Sequence, residues 1–104
     1  MKRRKQRNGK TIAADSPPAP RQLVVQPECL DDLRHWADTD RRVMLKTLDL
    51  MEAAIRDPFT GIGKPEPLRH LGADIWSRRI SQQDRLVYRV HHGFVDFLQA
   101  RYHY

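Results

Sequence analysis

Glu66 sits between two prolines, in Lys64-Pro65-Glu66-Pro67. Proline fixes φ and removes backbone freedom, so this carboxylate is expected to be held in place. Further on, Arg78-Arg79 and Arg85 fall on two strand-like runs joined by a short loop, so their guanidiniums can converge. The last residues are Arg101-Tyr102-His103-Tyr104, closing the run Phe94 to Ala100. Chain ends fray unless something holds them, so this one is expected to be tied down and used. Histidine is the side chain that most readily exchanges a proton near neutral pH. Together, one carboxylate, several arginines, a histidine and a tyrosine are what cleavage of RNA without a metal requires. A base removes the 2′-hydroxyl proton, and the oxygen attacks the adjacent phosphorus. Cations take up charge on the phosphoryl oxygens, and an acid protonates the leaving 5′-oxygen. Taken singly, each residue has a plainer reading: an exposed loop glutamate, a solvated arginine face, an ordinary strand histidine.

Other chemistries fit poorly. The five histidines (35, 70, 91, 92 and 103) show no metal-ligand spacing, and one cysteine cannot build a zinc cage, so neither a metal nor another cofactor is expected. Cys29 falls in an apolar stripe and reads as core rather than nucleophile. Gly61-Ile62-Gly63-Lys64 lacks both the full phosphate-loop pattern and the helix that must follow it.

These residues need a scaffold, and 104 residues are enough for one domain. Residues 1–20 are basic, then small and proline-rich, and read as a disordered extension; residues 21–104 read as the folded domain. Gln22 to Val25 reads as a short strand. Pro27 suits the first turn of a helix whose apolar face is Cys29, Leu30, Leu33, Trp36 and Ala37. Thr39 or Asp38 can cap a second helix, with Met44, Leu48, Met51 and Ile55 as its buried stripe and Asp57-Pro58 as its end. Leu68 to Leu71 reads as a short strand. Ile75 to Ile80 reads as a strand with Ile75, Ser77 and Arg79 on one face and Trp76, Arg78 and Ile80 on the other. Ser81 to Asp84 is a hairpin loop. Arg85 to Val90 is a strand with Leu86, Tyr88 and Val90 opposite Arg85, Val87 and Arg89. His91-His92-Gly93 turns the chain into the last strand. The plan is α+β: two helices after a short first strand, packed on a mainly antiparallel twisted sheet.

The net charge is +6, from 19 basic and 13 acidic residues. Seven basic and four acidic residues lie in residues 61–104, and six of the seven are arginines, whose planar fork suits phosphate. A polyanionic partner follows, with nucleic acid first. A lone cysteine forms no intrachain disulfide, and a reducing, cytoplasmic setting is the expectation. No apolar run approaches a membrane span, and the basic start lacks the apolar region of a secretory signal.

Four segments carry a resemblance: Gly63-Lys64-Pro65-Glu66-Pro67-Leu68, Trp76-Ser77-Arg78-Arg79-Ile80, Arg85-Leu86-Val87-Tyr88 and Arg101-Tyr102-His103-Tyr104. With Trp36 through Arg42 at the helical corner, they resemble the YoeB (Txe) toxins of bacterial toxin–antitoxin pairs, in the RelE-like superfamily. The likeness runs over residues 22–104. It implies a RelE-like microbial ribonuclease fold and a ribonuclease that cuts mRNA in the ribosomal A site. It also implies a cognate antitoxin and, commonly, a homodimer. By motif, Glu66 matches the general base, Arg85 the arginine that stabilises the transition-state phosphate, His103 the general acid, and Tyr104 the residue that helps position substrate. Arg79 resembles a phosphate-binding position, and Arg78, Arg69 and Lys64, in the same motifs, are expected to bind substrate phosphate with it. Arg69 stands where the family commonly has lysine. One departure is local: the family usually has a histidine before Arg-Leu-Val-Tyr, and this chain has Asp84, an acid able to pair with Arg85 and weaken its pull on phosphate. The basic extension 1–20 also lies outside the usual pattern. An alternative reading is a catalytically weak ribosome- or RNA-binding module that inhibits translation by occupancy.

Overall fold

The apolar spacing of residues 27–56 forms two helices, α1 (Pro27–Thr39) and α2 (Arg41–Arg56), after a short strand β1 (Gln22–Val25). Then come β2 (Glu66–Pro67), β3 (Ile75–Arg79), β4 (Arg85–Val90) and β5 (Phe94–Tyr102). The computed structural model describes residues 19–103, so the expectations for Tyr104 and for nearly all of residues 1–20 lie outside the described residues. Pro27 stands in the first turn of α1, where a missing N–H breaks no helical bond. Asp40, not Thr39 or Asp38, caps α2: its Oδ1 accepts from the backbone N–H groups of Arg42 (3.1 Å) and Val43 (3.2 Å). The Thr39 hydroxyl instead donates back to the carbonyl of His35.

The buried line of α2 is Thr47, Leu50, Met51 and Ala54. Leu48, expected in the stripe, is exposed, while Met44 and Ile55 lie at the margin of the core. Thr47 can be buried because its hydroxyl donates to the Val43 carbonyl at 2.8 Å. Counting apolar residues alone overlooked that position and rotated the stripe.

The sheet order is β1-β5-β4-β3-β2. Every pairing is antiparallel except β1 with β5, which is parallel and sets Gln22 beside Phe94. The fold is α+β, as expected. The strand expected at Leu68 to Leu71 is corrected: Arg69–Leu71 forms a 3₁₀ turn. The extended pair is Glu66–Pro67, at the sheet edge, where proline breaks no ladder bond.

The helices cover one face of the sheet. Cys29, Leu33, Leu50, Met51 and Ala54 pack there on Ile80, Leu86, Tyr88, Val95, Phe97 and Ala100. A smaller cluster of Leu68, Ile75 and Val87, flanked by Leu98 and Tyr102, forms on the other face. The alternation read for β3 and β4 therefore holds. β5 does not alternate so simply. Its register against β4 shifts twice between Arg85 and Tyr88. Phe97 and Ala100, three residues apart, thus join the same core, while Leu98 and Tyr102 join the other. Bulges re-aim side chains in this way and leave backbone groups without ladder partners. Here α1 supplies them: Asp32 Oδ2 accepts from the Ala100 N–H (2.8 Å), and Trp36 Nε1–H donates to the Ala100 carbonyl (2.8 Å).

Candidate active site

Strand parity brings the polar side chains together. Arg79 lies opposite Arg85, and Ser77 opposite Val87, on the face away from the helices. Glu66, on β2, lies opposite Ser77 and joins the same row. Arg85 is buried, and its Nη1 donates to Ser77 Oγ at 3.0 Å. The same nitrogen is 3.6 Å from Glu66 Oε2, a carboxylate that is 43% exposed. Arg79, Arg85, His103, Gln82 and Gln83 line an open depression of about 720 Å³. Two guanidiniums, an imidazole and, through Arg85, a carboxylate therefore share one region. That arrangement can hold a phosphate while a base and an acid stand nearby.

His103 follows β5 directly. Its Nε2 is 2.8 Å from Asp84 Oδ1, and Asp84 Oδ2 accepts from the Ser81 hydroxyl at 3.2 Å. Expected beside Arg85, the Asp84 carboxylate is turned toward His103. On the same face, His70 Nε2 and the Tyr102 hydroxyl are 3.2 Å apart.

Arg78 is corrected. It points to the helix side and is fully buried. Its Nε donates to the Tyr88 hydroxyl (3.0 Å), Nη1 to the Ile62 carbonyl (2.9 Å), and Nη2 to the carbonyls of Asp57 (2.6 Å) and Thr60 (2.8 Å). Its donors hold the loop after α2, so it cannot serve a phosphate in the depression. Gly63 lets that loop close over it: φ is +84°, and an added Cβ would stand 2.7 Å from Leu50 Cδ2 and 3.0 Å from Arg78 Cβ. Lys64 is exposed beside it, with φ of 51°. Arg69 lines a second depression with Pro67, Gly72, Asp74, Ile75 and Trp76. Neither of these cations lines the Arg79–Arg85–His103 region.

Titration follows surroundings. Burial, with nearby acids adding to it, pushes the Cys29 thiol up to about 12, so this cysteine is inert as a nucleophile. Burial also raises Tyr88 above the usual phenol value. The Thr60 hydroxyl and the Phe59 N–H hold the Asp57 carboxyl below the usual carboxylate range. Among the described residues, no group of three or more His, Cys, Asp and Glu side chains is arranged to hold a metal. No helix there is long and apolar enough to cross a membrane.

Sequence reasoning named Glu66, Arg79, Arg85 and His103 but missed their supports. Ser77 shares the parity of Arg79, a signal already in the alternation. Gln82 and Gln83 reach the depression from the hairpin loop. Nothing in the sequence linked Asp84 to a histidine 19 positions away.

Residues 25–104 match the family described as YoeB-like toxin of bacterial type II toxin-antitoxin system. Toxin YoeB of Escherichia coli strain K12 is 43% identical over 82 residues, spanning 79% of this chain and 98% of that protein. Among solved structures, a YoeB dimer from Staphylococcus aureus superposes with a TM-score of 0.76 at 30% identity, covering 83% of this chain and 100% of that one. The heterotetrameric YoeB-YefM toxin-antitoxin complex of the same organism contains a chain matched with a TM-score of 0.70 at 31% identity, covering 83% of this chain and 100% of that one.

Proposed function

This chain belongs to the YoeB-like toxins of bacterial type II toxin–antitoxin systems, in the RelE-like group, and from that membership we propose that it is an endoribonuclease that cuts mRNA on the ribosome. Glu66 takes the proton of a 2′-hydroxyl, and the oxygen attacks the adjacent phosphorus. Arg85, with Arg79 beside it, takes up the charge that grows on the phosphoryl oxygens. His103 gives a proton to the departing 5′-oxygen. The products are a 2′,3′-cyclic phosphate and a 5′-hydroxyl. The scheme needs no metal and no cofactor, since side chains supply the base, the acid and the cations. Tyr104 helps to position substrate, and Lys64 and Arg69 meet phosphates further along the strand.

The observation that carries this reading is the Glu66–Arg85 contact of 3.6 Å beside a depression that Arg85 and His103 both line. A cognate antitoxin, as YefM is in the Staphylococcus aureus complex, covers the basic open face, its acidic side chains meeting Arg79 and Arg85. A homodimer, the cytoplasm as the site of action, and a basic arm of residues 1–20 that adds affinity for ribosomal RNA complete the proposal.

The test is a cleavage assay on ribosome-bound message. Wild type should cut, Glu66→Ala and His103→Ala should each lose about 10²–10⁴-fold, and a 2′-deoxynucleotide at the cut site should resist. A wild type that binds ribosomes and arrests translation without cutting would overturn the nuclease reading in favour of occupancy.

A further inference from the structure

Asp84 is built into its loop. Its carbonyl accepts from the N–H groups of Ile80 (2.9 Å) and Ser81 (3.2 Å), and its own N–H donates to Ser81 Oγ (3.0 Å). The side chain is 13% exposed, against 63% for the imidazole it meets. The loop is thus the fixed member of the contact, and His103 the adjustable one. An ionised carboxylate only accepts hydrogen bonds, so His103 Nε2 carries its hydrogen and gives it to Asp84 Oδ1 at 2.8 Å. Nδ1 is the ring nitrogen outside that contact. Of the other residues that line the depression, the charged ones are Arg79 and Arg85, whose guanidiniums repel an imidazolium. Asp84 places a negative charge against it.

We infer that Asp84 is a positioning residue for His103, fixing which imidazole nitrogen donates to the leaving oxygen and supplying the counter-charge to the protonated ring. The inference rests on the ribonuclease reading above. It assigns a role to a carboxylate that stands where, by resemblance, a histidine is usual. In the step itself, the Nδ1–H bond breaks as the 5′-oxygen leaves phosphorus, the proton passes to that oxygen, and the Nε2–H bond to Asp84 persists.

The experiment compares wild type, Asp84→Ala, His103→Ala and the double variant on ribosome-bound message. One message carries the natural 5′-oxygen at the cut site and another carries sulfur there, whose thiolate departs without a proton. On oxygen, Asp84→Ala should cut about 10- to 100-fold more slowly, a share of the roughly 10²–10⁴-fold that general acid catalysis provides. Added to His103→Ala, it should change the rate by less than about twofold, since the two act through one proton transfer. On sulfur, both single variants should cut within about threefold of wild type. Asp84→Asn keeps one acceptor oxygen and the backbone contacts of the loop while removing the counter-charge, and it carries the test if the alanine variant unfolds. A wild type that cuts neither message overturns the ribonuclease reading together with this one. A wild type that cuts while the Asp84 variants equal it, or lose equally on both messages, overturns this inference alone. Nitrogen NMR of His103 gives a readout independent of activity: its neutral ring should carry the hydrogen on Nε2 in wild type, and finding it on Nδ1 would also overturn the inference.

Discussion

Arg78 and Arg79 share a peptide bond, yet the first is fully buried and the second is exposed. Strand alternation sends one to each face of the sheet. On the helix side, Arg78 finds three backbone carbonyls and a phenol, and it becomes the peg on which residues 57–62 hang. On the open side, Arg79 faces the depression shared with Arg85 and His103. The same residue type is scaffold in one place and candidate ligand-binding group one residue later. Parity and burial, not residue type, decide which.

Substitutions can break or sharpen that contrast. The largest effect on stability is expected from Arg78→Ala, which leaves the Tyr88 hydroxyl and the Asp57, Thr60 and Ile62 carbonyls without their donor. Urea unfolding should show a loss of about 3–5 kcal/mol, a large part of the total for a domain of this size. Tyr88→Phe is next. The hydroxyl accepts from Arg78 and donates to the Pro58 carbonyl at 2.7 Å, so its removal should cost about 1–2 kcal/mol. It should also change the alkaline limb. Burial raises the folded-state value of Tyr88 above that of the unfolded chain. Its contribution is therefore fully present below the usual phenol value of about 10 and lost as pH rises through the higher folded value. The phenylalanine variant lacks that share of the alkaline loss, which thermal unfolding across this range measures. Arg79→Ala closes the series. Stability should change by no more than about 0.5 kcal/mol, whereas the salt dependence of RNA binding should fall by about 0.7 in log–log slope. A comparable stability loss from both arginines would erase the contrast.

Much of this was legible because it is local. Periodicity placed α1 and α2, and alternation sorted β3 and β4 into two faces. The proline frame around Glu66 and the Arg–Tyr–His end pointed to the residues that gather near the depression. What stayed hidden depends on partners distant in sequence. Arg78 looked like one of a pair because its acceptors are carbonyls of a loop 16 to 21 residues earlier. The parallel pairing of β1 with β5 and the double shift in β5 need the folded sheet to exist. Thr47 reads as polar until its hydroxyl is seen turned back on its own helix. Asp84 reads as a neighbour of Arg85 until β5 delivers His103 beside it.

The position of β5 between β1 and β4 has a consequence for the order of synthesis. Phe94 to His103 are made after every other element of the sheet. Until they are, β1 has no strand to pair with, the two halves of the sheet are unjoined, and the imidazole is missing. Distant pairings of this kind also form slowly. A chain grown only as far as Arg85 already contains Glu66 and Arg85 and still lacks the strand that completes them. The topology is a delay timer: the sheet and its site are assembled only after the strand that leads to His103 has been made.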